Sequence, residues 1–402
     1  MPKTLYRYIW QELLPPFSLG LLGFTFILLT GRILQLTELF VNKGISFTHI
    51  AKFIYYLIPS FMVLTIPMAM LLAVMVAFSR MASDNEITAL KSSGISLYQM
   101  VPPVIFWALG AFILTIFFSL HLLPQANQAS RALLFEIAST KAHAGVKERV
   151  FNDDFEGLVI YVEHVSPRTL KWENIFISDS RLPEETHAIV AREGEVLADP
   201  AQLTVTLKLK NGSIHKLGKQ PEVYQKIDFA TYDLRLSLKT GLAKKEDEKK
   251  HPADMSLNEL LQAVRFWRLK SEEAKILLIK IHEKFTIPFA CIVFGLIGIP
   301  LGAQSPLGRA GKSLGFSWSV AVILIYYLLT NAGNSLAERG FISVELGLWF
   351  PNAFFLILGI YLLIKSARGA PIFLTAGLNK VFSWLTRGLK ESYPPPERKS
   401  AP

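Results

Sequence analysis

The sequence predicts a membrane α-helical protein, six transmembrane helices with an inserted all-β domain, and three observations carry that reading. Hydrophobic residues make up 51% of the 402-residue chain and mean hydropathy is +0.35, too apolar for the solvated surface of a protein this long. Three long apolar runs precede residues 125–276 and three follow them. Inside 125–276, the only long stretch with soluble composition, apolar and polar residues alternate in short segments, the period of half-buried strands.

Leu13 to about Val41 is the first span, with Arg32 near its outer third. Phe53–Phe78 is the second, where Pro59 and Pro67 predict kinks. Val101–Leu123, Phe285–Leu301, Leu314–Leu336 and Leu346–Ile364 complete six. Each can reach the roughly 20 residues that a bilayer core requires. The organisation is therefore 1–124 for helices 1–3, 125–276 for the polar domain with helical connectors, 277–366 for helices 4–6, and 367–402 for a basic tail.

The formal charge of +10 belongs to cytoplasmic flanks rather than to a nucleic-acid surface. With the N-terminus inside, Lys3, Arg7, Arg80, Lys91, Arg309, Lys312 and the tail cations all fall on one side, which is the positive-inside asymmetry. The polar domain then lies outside the cytoplasm. One cysteine, Cys291, excludes an intramolecular disulfide. No cleavage site for a leader follows Lys3 and Arg7.

Within the polar domain, Leu203–Lys210 alternates strictly, and Asn211-Gly212 after it predicts a hairpin turn. Val159–Val162, Ile175–Ile177 and Ile189–Ala191 are further strands. Between Tyr224 and Leu238 the apolar positions change from odd to even, which predicts a bulge or bend near Ala230-Thr231. Such strands build a sandwich, jelly roll or open barrel. Residues 125–147 are alanine-rich and continue the third span as helix. Lys244–Lys250 is a charged linker, and Ser256 with Glu259 forms a capping box that starts a helix.

Several chemistries are excluded. Gly308–Ser313 ends like a phosphate loop, but Pro306 stands where the first glycine belongs and no strand precedes it, so it is a basic loop. The central parts of the spans hold no Asp or Glu for a proton relay. His143, His164, His187 and His215 lack metal-ligand spacing.

Two places remain. Arg32 within the first span either snorkels or faces an internal cavity. Ser83-Asp84-Asn85-Glu86, followed by Ile87, Ala89 and Leu90 and closed by Gly94, predicts a short capped helix on the cytoplasmic side near 82–94. An external motor could push such a helix.

These segments, with Leu13-Leu-Pro-Pro-Phe17, Gly31-Arg-Ile-Leu34, Gly298-Ile-Pro-Leu-Gly302 and Leu336-Ala-Glu-Arg-Gly340, resemble the LptF/LptG (YjgP/YjgQ) permease family over nearly the whole chain. Residues 31–43 and 83–94 favour the F-type. The resemblance implies an inner-membrane, multi-pass permease subunit of an ABC transporter that exports lipopolysaccharide. The central domain would be a periplasmic β-jellyroll that accommodates acyl chains. It also implies a second, LptG-type permease, an LptB-type cytoplasmic ATPase dimer that binds the ATP, and a single-span LptC-type periplasmic protein. No cofactor or catalytic residue of its own is implied. Arg32 and Lys43 would line the substrate cavity, and Asp84, Glu86, Leu90 and Gly94 would couple to the ATPase. A different class remains possible from the residues: a membrane-anchored sensor or assembly factor whose β domain binds a protein.

Overall fold

The computed structural model describes residues 3–43, 47–144, 148–155, 157–166, 171–181, 187–199, 204–217, 224–236, 252–266, 272–304 and 309–368. Among the described residues, six helices are long and apolar enough to cross a membrane. They lie in α1 (Lys3–Lys43), α2 (Phe47–Ser83), α4 (Leu97–Phe117) continued as α5 (Leu123–Ala144), α7 (Glu272–Ala303), α8 (Arg309–Glu338) and α9 (Val344–Ala367). The short helix α3 (Glu86–Ser92) stands between α2 and α4, and α6 (Leu257–Phe266) precedes α7. Among the described residues, six antiparallel strands lie between α5 and α6. The fold class is the one the sequence predicts.

The chain forms two compact units. The first contains residues through Gly31, Ile58–Pro124 and the described residues from Met255 onward. α2 and α7 are its centre: 72% of the most apolar part of each is buried, against 11% for the first span. Glycine decides how closely these two helices approach. A Cβ on Gly298 would lie 2.9 Å from two side-chain carbons of Val74, and one on Gly302 would lie 2.8 Å from Phe78 Cβ and 3.0 Å from the Met75 carbonyl oxygen. Small residues at four-residue spacing let membrane helices pack backbone to backbone, where dispersion replaces the hydrophobic drive that lipid does not supply. Polar groups then join α7, α8 and α9. The Tyr326 hydroxyl donates to Asn352 Oδ1 at 3.1 Å, and Asn352 Nδ2 donates to the Thr286 carbonyl at 2.9 Å.

α4 continues through a π-helical turn (Phe118–Leu122) into α5, so the alanine-rich connector is helix through Ala144, as its composition predicts, and residues 145–147 lie outside the described ones. Ser119 in that turn and Lys284 of α7 exchange bonds: Ser119 Oγ donates to the Lys284 carbonyl, and Lys284 Nζ donates to the Ser119 carbonyl, each at 3.3 Å. α7 starts upstream of the predicted span and carries Lys280, Glu283 and Lys284 in its earlier turns. Glu283 accepts from Lys280 at 2.7 Å and from Asn334 at 2.9 Å. Pairing of this kind is what makes charged groups tolerable at membrane depth.

The second unit contains Arg32–Leu57 and Gln125–Asp254. Its strands are β1 (Phe151–Phe155), β2 (Leu158–Val165), β3 (Trp172–Asp179), β4 (His187–Asp199), β5 (Thr204–Leu217) and β6 (Tyr224–Leu236). They form one sheet in chain order, every neighbour antiparallel. Asn211-Gly212 is not the predicted hairpin. β5 runs straight through it, with Ala191 opposite Gly212 and Glu193 opposite Lys210 on one side, and Phe229 and Thr231 in the same places on the other. The local turn preference is met by Asn211 alone, at φ 52°, while the strand continues because both its neighbours pair along its whole length.

That conformation is repeated. Asn174 of β3 also has φ 52°, and asparagine enters the left-handed region more readily than other side chains. Asn174 and Asn211 share one line across the sheet with Glu163, Arg192 and Ala230. Inward-facing positions change parity at this line in successive strands. Ile175 and Ile177 are buried on one side and Trp172 on the other; Ile189 and Ala191 give way to Gly194 and Val196; Phe229 gives way to Tyr232, Leu234 and Leu236. The parity change expected in β6 is therefore real. Pairing stays in register through it, so the cause is a crease crossing neighbouring strands rather than an extra residue in one. Residues from both halves, among them Ile160 and Ile177 from one and Trp172, Leu207 and Leu209 from the other, share one core. Bending the sheet along the crease gives both halves a common apolar interior, and Phe135 of α5 packs against it.

The capping box is present: Ser256 N donates to Glu259 Oε2 at 2.8 Å and Glu259 N to Ser256 Oγ at 3.3 Å. The 3-10 turn Pro252–Asp254 before it is fastened to α5 by Asn127 Nδ2 on the Ala253 carbonyl (3.0 Å), Gln128 Nε2 on the Asp254 carbonyl (2.9 Å) and an Arg131–Asp254 ion pair. α8 begins at Arg309, so Arg309–Ser313 is helix where a loop was expected. The charged linker Lys244–Lys250 and the tail beyond Arg368 lie outside the described residues.

At the end of β3, Arg181 Nη2 is 2.5 Å from Asp179 Oδ2, and Arg181 Nε donates to Oδ1 at 2.9 Å. Burial pushes the Asp179 carboxyl up. The bonds and charge of Arg181, with His187, outweigh it and hold the carboxyl below the usual range. A depressed carboxylate stabilises the fold above its unfolded pKa of about 3.9 and loses that contribution as pH falls through the folded value. Arg181→Gln is therefore expected to raise the pH at which β3 amides lose protection in acid. An unchanged hydrogen-exchange profile would refute it.

Candidate functional site

α3 and its two turns form the most defined of the predicted sites. α2 runs through Ser83, so Ser83 is helical rather than the cap. The chain turns at Asp84 and Asn85, with Asp84 N on the Arg80 carbonyl at 2.9 Å and Asn85 N on the Ala82 carbonyl at 3.1 Å. Asn85 stands at the N-cap in the left-handed conformation, φ 60° and ψ 11°. The other end closes as the sequence predicts. Gly94 has φ 87°, its N–H reaches the Lys91 carbonyl (3.1 Å), and Ile95 N reaches the Leu90 carbonyl (2.9 Å). This is the Schellman pattern, which satisfies the last carbonyls and suits glycine because a Cβ would be strained there.

The short helix is seated by its apolar side. Ile87 is buried, and Leu90 and Ile95 pack on the same core as Met81, Leu97 and Met100. Thr88, Ala89, Lys91 and Ser92 are exposed, leaving an outward face of short side chains beside one lysine.

The four predicted coupling residues occupy different positions. Asp84 and Gly94 are exposed; Leu90 is half-buried on the inner side; Glu86 is half-buried. Glu86 Oε2 accepts a hydrogen bond from the Tyr8 hydroxyl of α1. Arg80, in the last turn of α2, bonds Glu12 Oε2 at 2.6 Å and lies 3.7 Å from Asp84 Oδ2. Sequence reasoning missed Tyr8, Glu12 and Arg80 as parts of this site. Tyr8 is 78 positions from Glu86, and the only local signal was their four-residue spacing on α1, which places Tyr8 and Glu12 on one helix face.

Arg32 is exposed and lies in the second unit. Lys43 is the last residue of α1, and its side chain is outside the described ones.

A groove of about 640 Å³ crosses the sheet's outer face along the crease, lined by Tyr161, Phe176, Arg192, Asn211 and Phe229 among others. It holds none of the predicted site residues. Among the described residues, no cluster of three or more His, Cys, Asp or Glu side chains is placed to hold a metal ion. Cys291 is fully buried beside Thr115.

The described residues thus combine apolar helices, a short helix between two of them and a β domain in the middle of the chain. Comparison with known proteins places this arrangement in a family. LptF, the lipopolysaccharide export system permease protein of Escherichia coli (strain K12), is 21% identical over 309 residues, 76% of this chain and 79% of that one. LptF of Shigella flexneri aligns with the same identity and coverage. An uncharacterized protein of Rickettsia prowazekii (strain Madrid E) is 22% identical over 191 residues, 47% of this chain and about half (52%) of that protein's length. The family model described as "Lipopolysaccharide export system permease LptF/LptG" matches residues 7–365. This multi-pass membrane protein belongs to the LptF/LptG family of lipopolysaccharide export permeases.

Proposed function

We propose that the chain is the transmembrane subunit of an ABC transporter that extracts lipopolysaccharide from the inner membrane and passes it to a periplasmic bridge. The observation that carries this is α3. A seven-residue helix held by a buried isoleucine, with a short-side-chain face turned outward, suits docking of another protein. The chain supplies no phosphate loop of its own, and a separate cytoplasmic ATPase dimer supplies the hydrolysis. Glu86 and Asp84 meet that ATPase from the start of α3 and the turn before it; Leu90 and Gly94 set the seat and the end of that helix.

The second permease is a relative of LptG type, and a single-span LptC-type protein receives lipid beyond the membrane. The central domain faces the periplasm, where it accommodates acyl chains along an apolar groove. Arg32 and Lys43 offer cations to the phosphates of the lipid headgroup, a pairing in which arginine's fork matches two oxygens.

Purification in mild detergent through a tag on this chain tests the proposal. An ATPase and lipopolysaccharide are expected to co-purify. Recovery of a soluble periplasmic protein without either would instead favour a sensor or assembly factor. At Arg32, reversal to glutamate is expected to impair export more than Arg32→Ala, because it adds repulsion from phosphate. Equal export by the two variants would remove the phosphate contact.

A further inference from the structure

The base of α1 differs from its shaft. Leu5, Ile9 and Leu13 are buried in the core that also holds Met81, Ala82 and Ile87, whereas Leu19, Leu22, Phe26 and Ile27 are exposed at 65–72%. At that base, Tyr8 and Glu12 reach the two sides of the turn between α2 and α3. The Tyr8 hydroxyl donates to Glu86 Oε2, and Glu12 accepts from Arg80 at 2.6 Å.

We propose that Tyr8 is a positioning residue that joins α3 to α1, so that displacement of α3 by the ATPase also moves α1. The inference rests on the reading that Glu86 meets an ATPase. A carboxylate has two oxygens, each able to accept. Tyr8 takes Oε2, which leaves Oε1 to accept from a docked protein, so one side chain connects the partner to the first membrane helix. Apolar contacts hold α1 and α3 in one core, but they are non-directional and permit sliding. A hydrogen bond to a charged acceptor is directional, and it resists lateral motion of α3 against α1.

Tyr8 also packs against that core, so Tyr8→Phe keeps the ring and removes only the hydroxyl. The test uses the complex purified through this chain, reconstituted in vesicles containing lipopolysaccharide, and reads lipid extracted per ATP hydrolysed. This ratio counts assembled complexes only, so poorer folding lowers the yield and leaves the ratio. Tyr8→Phe is expected to lower the ratio about tenfold, the scale of one hydrogen bond to a charged group. Combined with Glu86→Gln, it is expected to lower it by less than the product of the two single effects, because both act on one bond. An unchanged ratio in Tyr8→Phe, or effects that simply multiply, would overturn the proposal. The ATPase contact is read separately, as co-purified ATPase: its full retention in Glu86→Ala overturns the underlying reading, whereas its loss there with an unchanged Tyr8→Phe ratio overturns only the link to α1.

Discussion

Glu86→Ala is expected to weaken association with the ATPase about ten- to a hundredfold and to abolish export. The magnitude follows from the bond lost. A hydrogen bond to a charged group contributes about 1.5–3 kcal/mol, and each 1.4 kcal/mol or so is a factor of ten in affinity. The substitution also leaves the Tyr8 hydroxyl, half-buried at the base of α1, without its acceptor. Glu86 is the first residue of α3, where alanine gives up only the small dipole benefit of a first-turn carboxylate, and Ile87 with the Gly94 turn still seats α3, so the helix is expected to persist while its contact fails. Co-purification of the ATPase and hydrolysis by the purified complex are the measurements. Wild-type values of both would remove Glu86 from the coupling site.

Gly333→Ala is expected to be among the most damaging changes in the membrane region. α8 and α9 cross at Gly333 and Gly347, where a Cβ on Gly333 would stand 2.1 Å from the Gly347 carbonyl oxygen and 2.9 Å from its carbonyl carbon. The obstacle is backbone, which has no rotamer with which to yield, so the helices must separate. Alanine is the better helix former by about 1 kcal/mol, but overpacking of a filled interior costs about 1–3 kcal/mol. Separation also removes the close dispersion contacts that hold membrane helices together. The net effect is loss of stability. Gly23, in mid-α1 with nothing within 4 Å of its Cβ position, is the control, and Gly23→Ala is expected to be neutral or mildly stabilising. Thermal unfolding in detergent distinguishes them; a Gly333→Ala midpoint at or above wild type would show that the crossing has room.

The membrane architecture was legible because its signal is local: twenty apolar residues in succession announce a span wherever they later pack. The same holds for the Gly94 turn and the Ser256–Glu259 box, where the partners lie within a few residues of each other. Asn211-Gly212 marks where local reading stops. The dipeptide asks for a left-handed residue, and Asn211 adopts one, but whether the chain then reverses or merely creases depends on the strands beside it. Strands β4 and β6 pair with β5 on both sides of that point. The parity change in β6 was visible, while its cause, a line shared with Asn174 and Arg192, was not.

By itself the sequence determined the six spans, the inserted β domain and the position of the short helix between α2 and α4. Tertiary structure alone decided what that helix is attached to. Ile87 predicts a buried side and Glu86 a charged one, but no local pattern reveals that the phenol of Tyr8, 78 positions earlier, lies against the carboxylate. Hydrophobic periodicity reports which face a helix buries, since burial depends on composition along that helix. A hydrogen bond depends on where two helices cross, and only their packing specifies it.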